Sequence, residues 1–310
     1  VITYDIRQLT KSYTNQLTPA NDEITLQIQQ GEIFGILGDN GAGKSTLVKQ
    51  MANLMRPSTG SIMLYGEPLH HSPLHVPTHI GYMPQSWLAI NQLTVGEALF
   101  HTAYLRGFDR HAAAQERDRL ISLWQLEAMR KKTGRDLSGG ERRLLQMGIA
   151  MAGSPPILIL DEPTNELSPQ RRKQVWDALR DLNQNDETTI IFITHDAIEA
   201  EKIIQRVGIL VDGKLVALGA PSHLKQQLNQ SLRLDIVVPT ALSQLRAKNA
   251  PEKLFPPTIP IIKLDANRWI LRLDRAQVQE VLGILDKHAI DDFRLSSATL
   301  EDLYLHYAQD

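Results

Sequence analysis

The segment Gly38-Asp39-Asn40-Gly41-Ala42-Gly43-Lys44-Ser45-Thr46 constrains this chain more than any other. The apolar run Ile33-Phe34-Gly35-Ile36-Leu37 precedes it, and Leu47-Val48-Lys49-Gln50-Met51 follows with a helical pattern. An uninterrupted apolar run of this length reads as a strand buried on both faces. The chain must therefore hold a strand–loop–helix unit with glycines at its turn. Glycines let a backbone approach phosphate oxygens closely, and amides at a helix N-terminus attract anions. In that setting the G-x-x-x-x-G-K-S spacing reads as a phosphate-binding loop. A glycine turn without a ligand is the alternative, and the flanking strand and helix argue against it. Lys44 is expected to pair with the outer phosphates and Ser45 to ligate Mg²⁺, with Asn40, Gly41, Gly43 and Thr46 completing the cradle.

Further apolar runs organise the rest of the chain. Residues 157–160, 190–193 and 207–211 read as buried strands, with a helix near 169–182. Strands alternating with helices imply a mainly parallel α/β sheet. Residues 2–9, 24–28 and 61–65 read as shorter strands. From Leu93 to about Leu126 charges and alanines dominate, and Thr94 is placed to cap a helix. Ala98, Leu99, Ala103, Tyr104 and Leu105 recur at helical spacing, as do Leu120, Leu123, Trp124 and Leu126, so this stretch is a helical insert. A second unit starts near Leu232 with strands at 233–238 and 268–273 and a loop holding Pro251 and Pro256-Pro257. A helix from Arg275 to His288 puts Val278, Val281, Leu282 and Leu285 on one face, and a last helix spans about 298–308.

Composition narrows the function classes. Apolar content of 42% and charged content of 22% are those of a globular protein. A net charge of −2 gives no ground for nucleic-acid binding. The chain has no cysteine, which excludes disulfides, thiolate metal sites and cysteine nucleophiles. No apolar run reaches the roughly 18–20 residues of a membrane span, and no signal peptide is visible. The expectation is a cytosolic chain without a span of its own, so that work at a membrane requires another chain to cross it.

Ile157-Leu158-Ile159-Leu160 leads into Asp161-Glu162-Pro163. Open α/β sheets place ligands at the carboxyl ends of their strands. Asp161 is expected to hold Mg²⁺, and Glu162 to act as general base toward water. An Asp-Glu pair standing alone is more often an exposed strand end, but here it follows a phosphate loop. About a hundred residues after that loop comes Leu137-Ser138-Gly139-Gly140-Glu141, ahead of a helix expected from Arg142 to about Ala152. The loop and this segment together resemble the nucleotide-binding subunit of an ATP-binding cassette (ABC) transporter, over about residues 1–225.

The resemblance implies an α/β fold. Its parts are a P-loop NTPase core with a mainly parallel sheet, an antiparallel β subdomain and a helical subdomain at about 86–150. Residues 226–310 would form a small C-terminal α+β domain. It implies ATP and Mg²⁺ as ligands. It assigns His195, in Thr194-His195-Asp196, to the γ-phosphate, and Gln85 to sensing Mg²⁺ and that phosphate. It assigns Tyr13 to stacking on adenine, where a strand-end tyrosine is the alternative. It makes Ser138, Gly139 and Gly140 a second anion cradle that serves the nucleotide of a partner cassette. Two chains head to tail, identical or not, then form two composite sites. The remaining implied partner is an integral-membrane permease, with the chain peripheral on the cytoplasmic face of the cell membrane.

Two residues depart from the family pattern. Glu141 stands where Gln is frequent. Ser168 stands where an Asp links the two sites across the dimer; it keeps hydrogen-bonding capacity without the charge, which implies slower or less coupled hydrolysis. His70, His71, His75 and His79 are dense, but Pro73 and Pro77 are expected to break any helix aligning them for a metal. The ending Ser297-Ala298-Thr299-Leu300-Glu301-Asp302-Leu303-Tyr304-Leu305 resembles the tail of drug- and antibiotic-resistance exporter subunits of the daunorubicin type and of sodium-efflux subunits. An amphipathic terminal helix closing its own core accounts for Leu300, Leu303 and Tyr304 equally well. The reading is an ATPase subunit driving a separate permease, with export the expected direction. A regulatory cassette uncoupled from transport and a cassette acting on ribosomes or DNA are the alternatives. The latter usually carries two cassettes or a long coiled-coil insert, and neither is visible.

Overall fold

Two long antiparallel strands, β1 (Ile2–Lys11) and β2 (Asn21–Gln29), open the chain. The buried β3 (Ile33–Leu37) then leads through the glycine-rich loop into α1 (Lys44–Met51). The computed structural model describes residues 1–310 apart from 15–16, 72–74, 87–89, 195–200, 227–231, 239–253, 266, 298 and 308–310, and apart from the side chains of five further residues, His75, Glu301, Tyr304, Leu305 and His306. His195, Pro73, Pro251 and Ala298, all named above, lie outside the described residues.

β4 (Thr59–Leu64) and β5 (Glu67–Pro68) join the first two strands in an antiparallel sheet of order β2-β1-β4-β5. Alternation along β1 turns Tyr4 and Ile6 inward. They pack on Leu47, Val48 and Met51 of α1 and on Phe34 and Ile36 of β3 in one continuous core. The Tyr4 hydroxyl donates to the Met51 carbonyl (3.1 Å), so a buried polar tip is satisfied within that core.

The second sheet has the order β10-β9-β3-β8-β7-β6. Its members are β6 (Ile80–Met83), β7 (Ile157–Asp161), β8 (Thr189–Ile193), β9 (Arg206–Val211) and β10 (Lys214–Gly219), with β3 between β9 and β8. Strands β9, β3, β8, β7 and β6 are mutually parallel, and β10 closes one edge antiparallel to β9. All residues of β3, β7 and β8 are buried. That explains their uninterrupted apolar sequences, since strands covered on both faces have no solvent side to mark.

Between β6 and β7 lie α3 (Val95–Leu105), α4 (Arg110–Trp124) and α5 (Gly139–Met151). Thr94 caps α3 in a reciprocal box with Glu97. Asp109 caps α4 by accepting from the Ala112 amide (2.8 Å). Trp124 is wholly buried where the three helices meet, and a Cβ on Gly148 of α5 would lie 2.9 Å from Leu99 and 3.4 Å from Trp124. The helices are therefore closely packed at that crossing, and a side chain at Gly148 would displace Leu99. α6 (Pro169–Asp186) runs between β7 and β8, four residues beyond its expected end, because Glu187 takes the left-handed conformation (φ 51°) that stops it.

The chain forms two compact units, Val1–Ala220 and Pro221–Asp310. In the second, β11 (Leu232–Val237), β12 (Ile261–Lys263), β13 (Arg268–Leu273) and β14 (Phe293–Ser297) make an antiparallel sheet of order β12-β13-β11-β14. The helix Val278–Lys287 lays Val281 and Leu285 on that sheet, with Val278 and Leu282 beside them. A short helix, Pro221–Gln226, packs on a terminal helix, Leu300–Tyr307.

Four expectations need correction. The helix after Leu137 begins at Gly139 rather than Arg142, because Ser138 caps it. The second-unit helix begins at Val278 rather than Arg275, since Asp274 accepts from the Ala276 and Gln277 amides in a preceding turn. Strands β5, β6, β10, β12 and β14 escaped the sequence reading, being short or half exposed. Pro77 does not prevent a helix: α2 (His75–His79) is a single turn with proline inside it, where the amide that proline lacks has no intrahelical partner to lose.

Candidate functional site

Parallel strand order assembles the site. The carboxyl ends of β3, β7, β8 and β6 lie along one edge of the sheet. The phosphate loop follows β3, Asp161-Glu162 ends β7, Thr194 follows β8, and Gln85 follows β6. A cavity of about 1130 Å³ opens there. Its lining includes Asn40, Gly41, Gly43, Lys44, Ser45 and Thr46 of the loop, together with Tyr13, Gln85, Asp161 and Glu162. Ser138, Gly139 and Gly140 are not among the residues lining it.

The loop is held from two sides by residues that the sequence reading missed. Gly43 has φ 95°, and a Cβ there would sit 2.0 Å from the Ala20 carbonyl. Its own carbonyl accepts from Asn21 Nδ2 (3.1 Å), and Asn21 Oδ1 accepts from Gln50 (2.7 Å). The Gly213 amide donates to the Ala42 carbonyl (3.2 Å), while the Gly213 carbonyl accepts from the Asp22 amide (2.9 Å). Asp212 and Gly213, at the end of β9, also line the cavity. Their signal in sequence was an Asp-Gly pair after an apolar run, which marks a hairpin turn but not the site.

Lys44 is 7% exposed, and its ammonium donates to the carbonyls of Gly38 (2.7 Å) and Asp39 (2.8 Å). Burial lowers its pKa, and the carboxylates of Glu162, Asp161 and Asp39 work against that. Asp161, 2% exposed, has its pKa raised mainly by burial and further by Glu162; the Ser45 hydroxyl, Arg143 and Lys44 oppose the rise. Asp161 Oδ1 is buried with no hydrogen-bond partner among the described residues. A hard cation takes oxygen ligands, and this orphaned carboxylate oxygen beside a serine hydroxyl fits part of the oxygen shell of a Mg²⁺ ion. Glu162 is buried and holds φ 54°, and its amide donates to the Ile193 carbonyl (2.9 Å).

Tyr13 is half-buried. Its hydroxyl lies 3.4 Å from the Thr46 hydroxyl and 3.3 Å from Met55 Sδ, and the Lys11 ammonium sits 5.8 Å from its ring. Ser138 caps α5 by accepting from the Glu141 amide (3.3 Å), while the Glu141 carboxylate accepts from the Ser138 amide (2.8 Å). A Cβ on Gly139 would meet the Glu166 carboxylate at 2.3 Å. Ser168 caps α6 by accepting from the Arg171 amide (3.4 Å), with Pro169 as the first helical residue. His70 and His71 pair with each other at 4.8 Å, and His79 packs on Tyr65 at 5.9 Å.

Residues 21–165 match the family described as "ABC transporter". The Nod factor export ATP-binding protein I of Burkholderia pseudomallei (strain 1710b) is 36% identical over 220 residues, covering 71% of this chain and 71% of that protein. This chain belongs to the ABC transporter ATP-binding cassette family. The cassette is also similar to the phospholipid-transporting ATPase ABCA7 of Homo sapiens, at 30% identity over 312 residues and 98% of the chain. It spans only 14% of that protein's length, and 14% to 18% of the other mammalian relatives compared with it. Among solved structures, the dimeric bacterial ABC transporter cassette MJ0796 superposes with a TM-score of 0.66 over 70% of this chain and 98% of that one, at 23% identity. The fold of the cassette is thus that of known ABC cassettes. No helix among the described residues is long and apolar enough to cross a membrane.

Proposed function

We propose that this cassette binds ATP with Mg²⁺, pairs with a second cassette and hydrolyses ATP to drive a membrane permease. The observation that supports the reading is the separation of two glycine-rich segments. Lys44, Ser45, Asp161 and Glu162 share one cavity, whereas Ser138, Gly139 and Gly140 do not line it. Head-to-tail pairing accounts for this: each chain then completes its partner's site, as twofold symmetry requires. The dimer of the MJ0796 cassette supports that reading.

Phosphoryl transfer relies mostly on positioning and charge stabilisation. Lys44 would leave its two carbonyl partners for the β- and γ-phosphates, and loop amides would hold the same oxygens. Ser45, Asp161 and Gln85 would hold Mg²⁺, whose chemistry is to offset phosphate charge. Tyr13 would stack on adenine. Glu162 would accept the proton of the attacking water, and His195 would contact the γ-phosphate.

Because the permease selects the cargo, substrate choice lies outside this chain. Export is the direction that the Nod factor export relative and the C-terminal resemblance support. The place of work would be the cytoplasmic face of the membrane, held there by the permease. Residues 1–225 would act as the nucleotide-binding domain and 226–310 as an accessory domain. One observation favours a weakly hydrolysing regulatory cassette instead: Ser168 spends its side chain on capping α6.

The substitution Glu162→Gln tests the proposal. It should retain ATP, form an ATP-dependent dimer by light scattering, and lose about 10²- to 10⁴-fold in phosphate release. Release at the parent rate would refute the role of Glu162. The trapped dimer, purified from native membranes, should carry a polytopic protein identifiable by mass spectrometry. Recovery of soluble partners alone would sink the transport reading and leave the regulatory one.

A further inference from the structure

Arg143 lies one turn inside α5 and is 6% exposed. Its guanidinium points at backbone. Nη1 donates to the carbonyls of Gln85 (3.0 Å) and Pro84 (3.4 Å), and Nη2 donates to the carbonyls of Asp161 (3.0 Å) and Glu162. Gln146 stands three residues on along the same helix face. It accepts from Arg143 Nη1 (3.4 Å) and donates to the Ser86 carbonyl (2.8 Å). Two neighbouring side chains of α5 therefore grip five carbonyls in two separate segments, residues 84–86 and 161–162. Each segment sends a side chain into the cavity: Gln85 from one, Asp161 and Glu162 from the other.

Glu162 makes this grip consequential. A non-glycine residue keeps φ near +54° only where its surroundings enforce it. The Arg143 bond to its carbonyl, with the Glu162 amide bond to Ile193, supplies that enforcement from both sides of the residue. An arginine suits the task because its donors are fixed in one plane and reach several acceptors at once. Burial draws the guanidinium's pKa down, and the carboxylates of Glu166, Asp161 and Glu162 counter the fall.

We propose that Arg143 is a positioning residue for hydrolysis: it holds Gln85 and Glu162 in register and ties both to the helix that begins at Ser138. Arg143 is five residues from Ser138, about 7.5 Å along the helix. A partner nucleotide engaging Ser138–Gly140 would thus act on this chain's own Gln85 and Glu162 through one rigid turn. The proposal rests on the hydrolytic reading given above.

The test uses the full chain carrying Arg143→Ala, Arg143→Lys or Gln146→Ala. Arg143→Ala should lower kcat for ATP about 10- to 100-fold, with KM and the affinity for a fluorescent nucleotide unchanged. Arg143→Lys, with three donors, should recover part of the loss, and Gln146→Ala should lose less. Hydrogen exchange in the nucleotide-free Arg143→Ala chain should quicken at residues 84–86 and 161–165, with β3 unchanged. An unchanged kcat beside a hydrolysing wild type would overturn the positioning role alone. So would a parallel fall in kcat, nucleotide affinity and unfolding midpoint, which marks general destabilisation. A wild-type chain without turnover would instead fail the hydrolytic reading and take this proposal with it.

Discussion

Lys44 and Asp161 are buried charges at the edge of the cavity. The Lys44 ammonium rests on two carbonyls, and each charge-assisted bond it would make to phosphate is worth about 1.5–3 kcal/mol. Lys44→Ala should therefore weaken nucleotide binding at least about tenfold, measurable by fluorescent-nucleotide titration. Asp161 carries the opposite sign of the argument. Its folded pKa lies above the ordinary 3.8, so ionising it opposes folding. That penalty is absent below the unfolded value and complete once pH passes the folded one. Asp161→Asn should then raise the melting temperature of the nucleotide-free chain at neutral pH, and the gain should fade as the solution is acidified. Melts of equal midpoint at every pH would count against it. Both residues were legible as motif members; their burial was not, because the atoms that cover them come from distant segments.

Helix starts in this chain repeat one device. Thr94 with Glu97, Ser138 with Glu141, and Thr299 with Asp302 each exchange hydrogen bonds between side chain and amide. The S/T-x-x-E spelling is visible in sequence, and at Ser138 it coincides with the glycine motif, so one serine serves both patterns. Glu141 departs from the frequent Gln without structural consequence, since either side chain can reach back to the Ser138 amide. Ser168 likewise keeps a structural task after losing the charge expected at its position. Thr94→Ala and Ser168→Ala should each cost about 1 kcal/mol of stability, and Thr94→Ser much less. Urea denaturation of the three variants checks this, and equal midpoints for Thr94→Ala and Thr94→Ser would exclude the cap as the cause.

At the scale of the whole molecule, each unit has its own apolar core. The second, smaller one also buries Asp302 at 2% exposure between Arg233 (3.6 Å) and Arg272 (3.7 Å), while the same carboxylate caps the terminal helix through Thr299. Leu300 and Leu303 are buried beside it. The tail resemblance and the closing of a local core are therefore compatible accounts of one segment. Asp302→Ala removes the counter-charge facing the Arg272 guanidinium and one of the two facing Arg233, which keeps Asp235 (3.0 Å). It should destabilise the second unit by about 3 kcal/mol. Hydrogen exchange should quicken across β11, β13 and β14 while β3, β7 and β8 stay protected. Uniform loss of protection in both units would refute the local assignment.

The phosphate loop, the buried strands, the helical insert and the motif residues could be read directly, because each is encoded within a few neighbouring positions by glycine freedom, uninterrupted apolarity or helical spacing. Their meeting could not. Asp161, Gln85 and the phosphate loop converge only because β6, β7, β8 and β3 are parallel neighbours in that order. Arg143, Gln146, Asn21 and Gly213 reach the site's segments through contacts that span from 18 to over 100 residues of chain. A side chain that bonds to backbone carbonyls leaves no signature at the residues it holds, since every residue type offers the same carbonyl. The chemistry of this cassette is thus written locally, whereas the register in which its parts face one another exists only once the sheet has closed over its core.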